Sequence, residues 1–211
     1  AMCSGVLTAA GVIEKARNAL FTSPWTPLLE TCLDATLLVA YEVPNGVVVS
    51  VAGDGVVVGR KRNAETCLVY DFDCSNAPSY LTYLTNCERM TAYLQQFGKR
   101  TITSSRFEPS SGNNTVISRH TENPFTGETD YAGVAEPFYR CFFPIADYDL
   151  VLLCSDGVKS FQNQLQPVPF EIILTHLLNF KTFTGEFVTR RVQTFLKREC
   201  ASWQFGDDLS V

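Results

Sequence analysis

The pattern of apolar and polar positions divides the chain into a β-rich first part and a more helical last part. Apolar residues recur every three or four positions over 6–21, which predicts an opening helix that ends before the prolines at 24 and 27. Four runs rich in branched apolar residues follow: 35–43, 47–52, 56–61 and 66–72. The first two lack polar alternation, which indicates strands covered on both faces. Together the four runs predict a β-meander.

Two short turn signals separate the first three of these runs. Residues 44–46 read Pro-Asn-Gly, which is typical of a tight β-hairpin. Residues 53–55 read Gly-Asp-Gly, and this sequence predicts a second sharp turn because glycine tolerates backbone conformations closed to other residues.

The remaining pattern alternates between helical and extended segments. Pro78 suits the first turn of a helix that runs to about Phe97. Residues 98–129 are rich in Ser, Asn, Thr and Gly, which predicts loops with one strand at 115–119. The later elements are predicted as strands at 138–143 and 149–154, helices at 169–180 and 184–200, and the start of a strand at 209–211. Strands, then helices, then a final strand indicate an α+β fold.

Composition narrows the function classes. The chain has 211 residues, of which 18% are charged, and its formal net charge is −5. This length suits one domain, which we expect to span 3–211. Without a basic run, the sequence argues against binding to nucleic acid or to a membrane surface. No apolar stretch approaches the ~20 residues of a membrane span, and residues 1–5 do not begin a secretory signal. We therefore expect a cytoplasmic protein.

The eight cysteines do not form a zinc pattern. None belongs to a C-x-x-C pair, and the two histidines, His120 and His176, lie far apart in the sequence. Cys67 and Cys154 stand inside apolar runs, which is typical of small buried side chains in a reducing compartment. Cys154 is for the same reason a poor candidate for a thiolate nucleophile.

Three acidic turns are the candidates for chemistry. Residues 53–55, 155–157 and 206–208 each combine glycine with aspartate next to an apolar strand. A short carboxylate held at a strand end suits a hard cation such as Mg²⁺ or Mn²⁺, which prefers oxygen ligands. The alternative is that Asp and Gly serve only as turn residues here, as they do in most proteins.

The order of these turns resembles the type-2C family of metal-dependent protein phosphatases. The most specific match is 149–160, Asp-Leu-Val-Leu-Leu-Cys-Ser-Asp-Gly-Val-Lys-Ser, which closely matches the family pattern D-x-L-[VL]-L-x-S-D-G-[VL]-x-[DE] and departs from it at Val151 and Ser160. Residues 207–211, Asp-Asp-Leu-Ser-Val, match the closing motif D-[ND]-[IL]-[TS]-V. Residues 34–40 and 51–55 echo two earlier family motifs more weakly. The matches run in family order.

The resemblance implies a fold, a reaction and a set of site residues. The fold would be a four-layer α-β-β-α sandwich with two antiparallel sheets. The reaction would be Mn²⁺- or Mg²⁺-dependent hydrolysis of phosphoserine or phosphothreonine in a phosphoprotein, with two ions in the complete site. Asp156 and Asp207 correspond to metal ligands, Asp54 and Asp208 to supporting carboxylates, and Gly157 would leave room beside the cations.

Departures from the family leave a second interpretation open. The family's first strand pair, with its Arg-x-x-N-E-D-like and D-G-x-G-G motifs, has no counterpart here, and Val56 stands where the family has the arginine of G-D-S-R. We therefore expect an N-terminally incomplete phosphatase domain. The alternative is a degenerate phosphatase-fold module that binds a protein partner without turnover. Sheet edges left open by the missing strands would favour self-association.

Overall fold

The computed structural model describes residues 33–62, 65–125 and 138–211. The helix predicted at 6–21 lies outside these residues. Within them the chain is a mixed α+β protein, as the pattern predicted. The strands are β1 (Leu37–Val43), β2 (Gly46–Ala52), β3 (Gly55–Lys61), β4 (Cys67–Asp73), β5 (Arg100–Glu108), β6 (Asn113–Glu122), β7 (Tyr139–Pro144), β8 (Tyr148–Cys154), β9 (Phe161–Asn163), β10 (Gln166–Pro167) and β11 (Gln204–Phe205). The α-helices are α1 (Cys87–Gln96), α2 (Phe170–Leu177) and α3 (Phe187–Thr194).

The described residues form two compact units. The first contains 33–54, 72–102, 119–125 and 138–146, and the second contains 55–62, 65–71, 103–118 and 147–211. None of the helices in the described ranges is both long and apolar enough to cross a lipid bilayer.

The first unit is built on a three-stranded sheet with the order β1-β2-β7. Both pairings are antiparallel, and Val43 lies opposite Gly46, so Pro44 and Asn45 form a two-residue hairpin loop. The hairpin predicted at 44–46 is therefore confirmed. The central strand β2 is the most buried of the three, with Val49 and Val51 fully inaccessible to solvent, which agrees with a strand covered on both faces. The same prediction was wrong for β1, where Ala40 and Glu42 are exposed and no residue is fully buried.

A helix of the first unit begins later than the sequence pattern predicted. A 3-10 turn (Leu81–Thr85) precedes α1, and Asn86 separates them with an extended backbone. The Asn86 side chain accepts hydrogen bonds from the backbone N–H groups of Glu88 and Arg89, both at 3.1 Å. The single helix predicted from Pro78 to Phe97 was therefore wrong, because Asn86 serves as an N-cap.

The second unit contains most of a five-stranded sheet with the order β6-β5-β4-β3-β8, in which β3 and β8 are antiparallel. Its core is a cluster of buried side chains from strands β3, β4 and β8 and from the helical segments that follow. Val56, Leu152 and Leu174 belong to this cluster, as does Phe195, which begins a π-helical turn (Phe195–Glu199) directly after α3. The helices predicted at 169–180 and 184–200 are thus confirmed in slightly shorter form.

The predicted β-meander was wrong at its centre. β2 and β3 are consecutive in the chain, yet they belong to different sheets. Gly53 and Gly55 have φ angles of +95° and +131°, and such angles are open to glycine but disfavoured for other residues. The turn between them redirects the chain out of the first sheet instead of returning it alongside β2.

The loops predicted over 98–129 contain two long strands, β5 and β6, and only the strand at 115–119 had been expected. In β5 the buried apolar residues are Ile102 and Phe107, while Ser and Thr fill most of the other positions. Every residue of β6 from 113 to 121 is exposed. The strand predicted at 115–119 lies inside β6, whereas β5 was missed because Ile102 and Phe107 are its only apolar residues and give too short a pattern.

The strand start predicted at 209–211 is also wrong. The last strand is β11, which pairs antiparallel with β9 in a small sheet. Residues 206–211 follow it without regular secondary structure, although Ser210 is hydrogen-bonded through its backbone to a turn elsewhere in the second unit.

Candidate functional site

The first part of the candidate site is the turn after strand β8. Cys154 ends the strand and is fully buried, and Val158, four residues later, is buried in the same core cluster. Between them Asp156 begins a 3-10 turn (Asp156–Lys159), in which the N–H of Val158 donates to the carbonyl of Ser155 at 3.2 Å. Two buried anchors and a hydrogen-bonded turn thus fix the half-buried Asp156 at the strand end.

The closing segment 207–211 is joined to this turn by three hydrogen bonds. The backbone N–H of Ser155 donates to the carbonyl of Ser210 at 3.0 Å. The hydroxyl of Ser155 donates to the carbonyl of Asp208 at 2.9 Å and accepts from the N–H of Ser210 at 3.0 Å. The structure therefore brings together two of the three acidic turns that the sequence singled out.

Gly157 is the position at which the two segments approach most closely. A Cβ atom placed there would lie 2.1 Å from the carbonyl oxygen of Asp208 and 2.8 Å from its carbonyl carbon. The resemblance assigned the room beside Gly157 to cations. In the structure the backbone of Asp208 lies where a side chain at position 157 would begin.

The carboxylates of the closing segment are open to solvent. Asp207 and Asp208 are both exposed, and the Oδ1 atom of Asp207 accepts a hydrogen bond from the N–H of Asp208 at 2.8 Å.

An ion pair lies at the other end of the 3-10 turn that begins at Asp156. There Lys159 donates to Oδ1 of Asp71 at 2.8 Å. Asp71 and the hydroxyl of Ser155 were not singled out from the sequence, because their partners lie 88 and 53 residues away.

The third acidic turn lies in the first unit. Asp54 is buried, and the hydroxyl of Thr36 donates to its Oδ1 at 2.7 Å. A Cβ atom at Gly53 would lie 2.7 Å from that same hydroxyl oxygen. The two weaker motifs, 34–40 and 51–55, are therefore in direct contact through Thr36 and Asp54.

The donor set can be compared with what a divalent ion requires. Among the described residues, no group of three or more His, Cys, Asp or Glu side chains is placed to hold a metal ion. Mg²⁺ in proteins is commonly held by one or two carboxylates, with water and substrate phosphate completing the octahedron. Asp156 and Asp207, on adjoining segments, match that smaller requirement in ligand type and number.

The buried cysteines behave as core residues, as predicted. Cys67 and Cys154 are both inaccessible to solvent. Burial raises the pKa of the Cys67 thiol to about 11 and that of Cys154 to about 12. A thiol with such a pKa stays protonated at neutral pH, which argues against a nucleophilic role for either residue.

The two histidines occupy a strand and a helix. The side chain of His120, on β6, is 46% exposed. The Nδ1 atom of His176, on α2, lies 3.0 Å from Oε2 of Glu199.

Comparison of the chain with protein-family models, with curated proteins and with solved structures finds no match.

Proposed function

We propose that the protein hydrolyses phosphoserine or phosphothreonine in proteins with the help of Mn²⁺ or Mg²⁺. The observation that supports this proposal is the joining of the Ser155-Asp156-Gly157 turn to the Asp207-Asp208 segment through the Ser155 hydroxyl. These are the two most specific motifs of the type-2C resemblance, and they lie 50 residues apart in the sequence but adjacent in the fold.

The chain's own residues would hold the ion and orient the substrate. Asp156, at the rigid end of β8, and Asp207, on the docked closing segment, would supply carboxylate ligands. Ser155 fixes the backbone of Asp208 and so sets the position of Asp207 relative to the turn. A bound divalent ion supplies positive charge to phosphoryl oxygens and lowers the pKa of water. Asp54 and Asp208 remain supporting carboxylates in this proposal.

The finer architecture belongs to the same proposal. The fold proposed with it is the four-layer α-β-β-α sandwich with two antiparallel sheets that the resemblance implies. The six described cysteines that carry free thiols also support a reducing compartment such as the cytoplasm.

The test is hydrolysis of p-nitrophenyl phosphate with Mn²⁺ by the complete protein. We expect Asp156→Ala and Asp207→Ala each to lower turnover by more than about 100-fold, because loss of outer partners alone costs about 10–100-fold in metal sites. Calorimetric titration with Mn²⁺ should show weaker binding in both variants. Circular dichroism should show that both remain folded.

The matched control is Asp147→Ala, which removes an exposed carboxylate from the loop before β8 and should leave turnover and Mn²⁺ binding unchanged. Turnover that survives both site substitutions would retire the assignment of Asp156 and Asp207.

A second candidate function is partner binding without turnover, and strand β6 favours it. This strand lies at the edge of the five-stranded sheet, with Val116 and Ile117 50% and 56% exposed. Exposed apolar edge strands pair readily with another chain. For this candidate we propose a second copy of the protein as the partner.

Light scattering during gel filtration at several concentrations would test self-association through β6. We expect the measured mass to rise with protein concentration. Ile117→Lys should return the mass to the monomer value, since a charged side chain disfavours edge pairing. Leu165→Lys, at a residue that is 78% exposed in the turn between β9 and β10, is the control. A mass that stays monomeric at all concentrations contradicts this candidate.

A further inference from the structure

A small cationic cavity of about 220 Å³ lies between helix α3 and the loop that follows helix α2. Four cationic side chains line it: Lys181, Arg190, Arg191 and Arg198. Among the residues that the structure describes, no Asp or Glu contributes to its lining. A chain with a formal net charge of −5 therefore concentrates positive charge at one place in its second unit.

Arg191 is the buried centre of this group. Its side chain is only 6% exposed, and one of its terminal nitrogens, Nη2, donates to Oε2 of Glu199. Its Nε–H group is buried and has no hydrogen-bond partner among the described residues. A buried donor without an acceptor is costly, so Glu199 offsets only part of the cost of burying this guanidinium.

Glu199 offsets only part of the charge. Burial alone would raise the pKa of this carboxyl, but the hydrogen bonds and charges of Arg191 and His176 outweigh it and hold the pKa below its ordinary value. Glu199 is thus ionised at neutral pH and neutralises one guanidinium. Lys181, Arg190 and Arg198 remain as cations.

Arg190 is held in position by neutral acceptors. Its Nη2 atom lies 2.6 Å from the carbonyl of Thr184 and 3.2 Å from the hydroxyl of Thr182. These contacts fix the loop against α3 without cancelling the charge. The other lining residues include Phe180 and Phe187, whose rings are 5.5 Å apart, so the cavity combines cations with an apolar wall.

From these observations we infer that the cavity binds an oxyanion of the phosphate class. The planar fork of arginine matches the spacing of phosphate oxygens, and the exposed Lys181, Arg190 and Arg198 supply positive charge around the cavity. A single water needs only about 10–15 Å³ of such space, so the cavity admits a larger group. The source of the phosphate is either the free ion or a phosphoryl group on a peptide.

Calorimetric titration of the 211-residue chain with inorganic phosphate tests the site. EDTA in the buffer separates this result from the proposed metal site, with which the cavity shares no residue. Sodium chloride at equal ionic strength replaces phosphate in the blank. A second arm uses a short phosphoserine peptide and its unphosphorylated form, and the tighter of the two phosphate ligands identifies the source.

The variants use exposed residues, because Arg191 is buried and its replacement endangers folding. We expect the chain to bind phosphate saturably. Arg198→Ala should weaken this binding about tenfold or more, as loss of one charge-assisted hydrogen bond predicts. The double variant with Lys181→Ala and Arg198→Ala should bind phosphate more weakly still. Lys197→Ala removes an equal charge from the neighbouring exposed position, which does not line the cavity, and should change affinity less than twofold. Absence of saturable binding, or an equal loss in Lys197→Ala, overturns the proposal.

Discussion

The hydroxyl group of Ser155 donates a hydrogen bond to the carbonyl oxygen of Asp208 across 53 residues of sequence, at 2.9 Å. The same hydroxyl accepts from the N–H of Ser210 at 3.0 Å. One side chain therefore bridges the turn after β8 and the closing segment, and the relative positions of Asp156 and Asp207 depend on it.

Replacement of Ser155 by alanine removes both of these side-chain hydrogen bonds. We expect Ser155→Ala to lower the free energy of unfolding by about 1 kcal/mol, since each partly exposed hydrogen bond contributes about 0.5–1.5 kcal/mol. The bond from the backbone N–H of Ser155 remains, so the effect stays moderate. Urea unfolding measures it. Ser210→Ala is the control, because Ser210 takes part through its backbone; a loss of similar size there would contradict the role given to the Ser155 hydroxyl.

Gly157 should tolerate no side chain. A Cβ atom at this position would collide with the carbonyl of Asp208, so Gly157→Ala must displace either the turn or the closing segment. We expect a loss of about 1–3 kcal/mol in unfolding free energy, the usual cost of overpacking. Faster proteolytic cleavage after residue 205 would show that the closing segment has moved.

Gly206→Ala provides the matched control for that substitution. A Cβ atom at Gly206 meets nothing within 4 Å, so the expected change is within about 0.5 kcal/mol. Equal stability of the two variants would show that residues 207–211 do not dock on the Gly157 turn in solution.

The contact between Thr36 and Asp54 should stabilise the first unit. Thr36→Val removes the hydroxyl that donates to the buried carboxylate but keeps the shape of the side chain. Hydrogen bonds to charged groups contribute about 1.5–3 kcal/mol, and we expect a loss in that range by urea unfolding. Thr36→Ser keeps the hydroxyl donor and should therefore retain most of the unfolding free energy that Thr36→Val loses. If the serine variant is as unstable as the valine variant, the effect belongs to packing.

The pKa values of Cys67 and Cys154 predict their reactivity. Burial raises these pKa values to about 11 and about 12, from an ordinary value of 9.0. At pH 8 both thiols are protonated and inaccessible, whereas Cys87 is exposed. Iodoacetamide at pH 8, followed by peptide mass spectrometry, should modify Cys87 and spare the other two in the native protein. Rapid labelling of Cys154 without denaturant would contradict its burial.

The same pKa shifts set the sign of the pH dependence at alkaline pH. Because the folded state binds the thiol protons more tightly than the unfolded state, their contribution to stability is complete below about pH 9 and is lost as the pH rises toward 11–12. The unfolding free energy should therefore be lower at pH 10 than at pH 8. Cys154→Ala should make this difference smaller.

The sequence by itself determined the elements whose apolar pattern is local. β1, β2, β3 and β4 lie where branched apolar runs predicted them, and β7 and β8 lie at the strands predicted over 138–143 and 149–154. α2 and α3 lie within the helices predicted at 169–180 and 184–200. These signals are reliable because burial of one face of an element requires a fixed periodicity, and burial of both faces of a strand requires a continuous apolar run. The hairpin at 44–46 belongs with them, since its turn residues act on the adjacent backbone.

Only the tertiary structure decided which strands pair and which turns meet. β5 was missed because Ile102 and Phe107 are its only apolar residues, and β6 was predicted only over 115–119. The glycine turn at 53–55 directs β3 into a different sheet from β2. The joining of Ser155 to Asp208 and Ser210 likewise links segments more than 50 residues apart. Hydrogen bonds of this kind depend on how distant segments pack, and the local spacing of residues in the sequence does not show that packing.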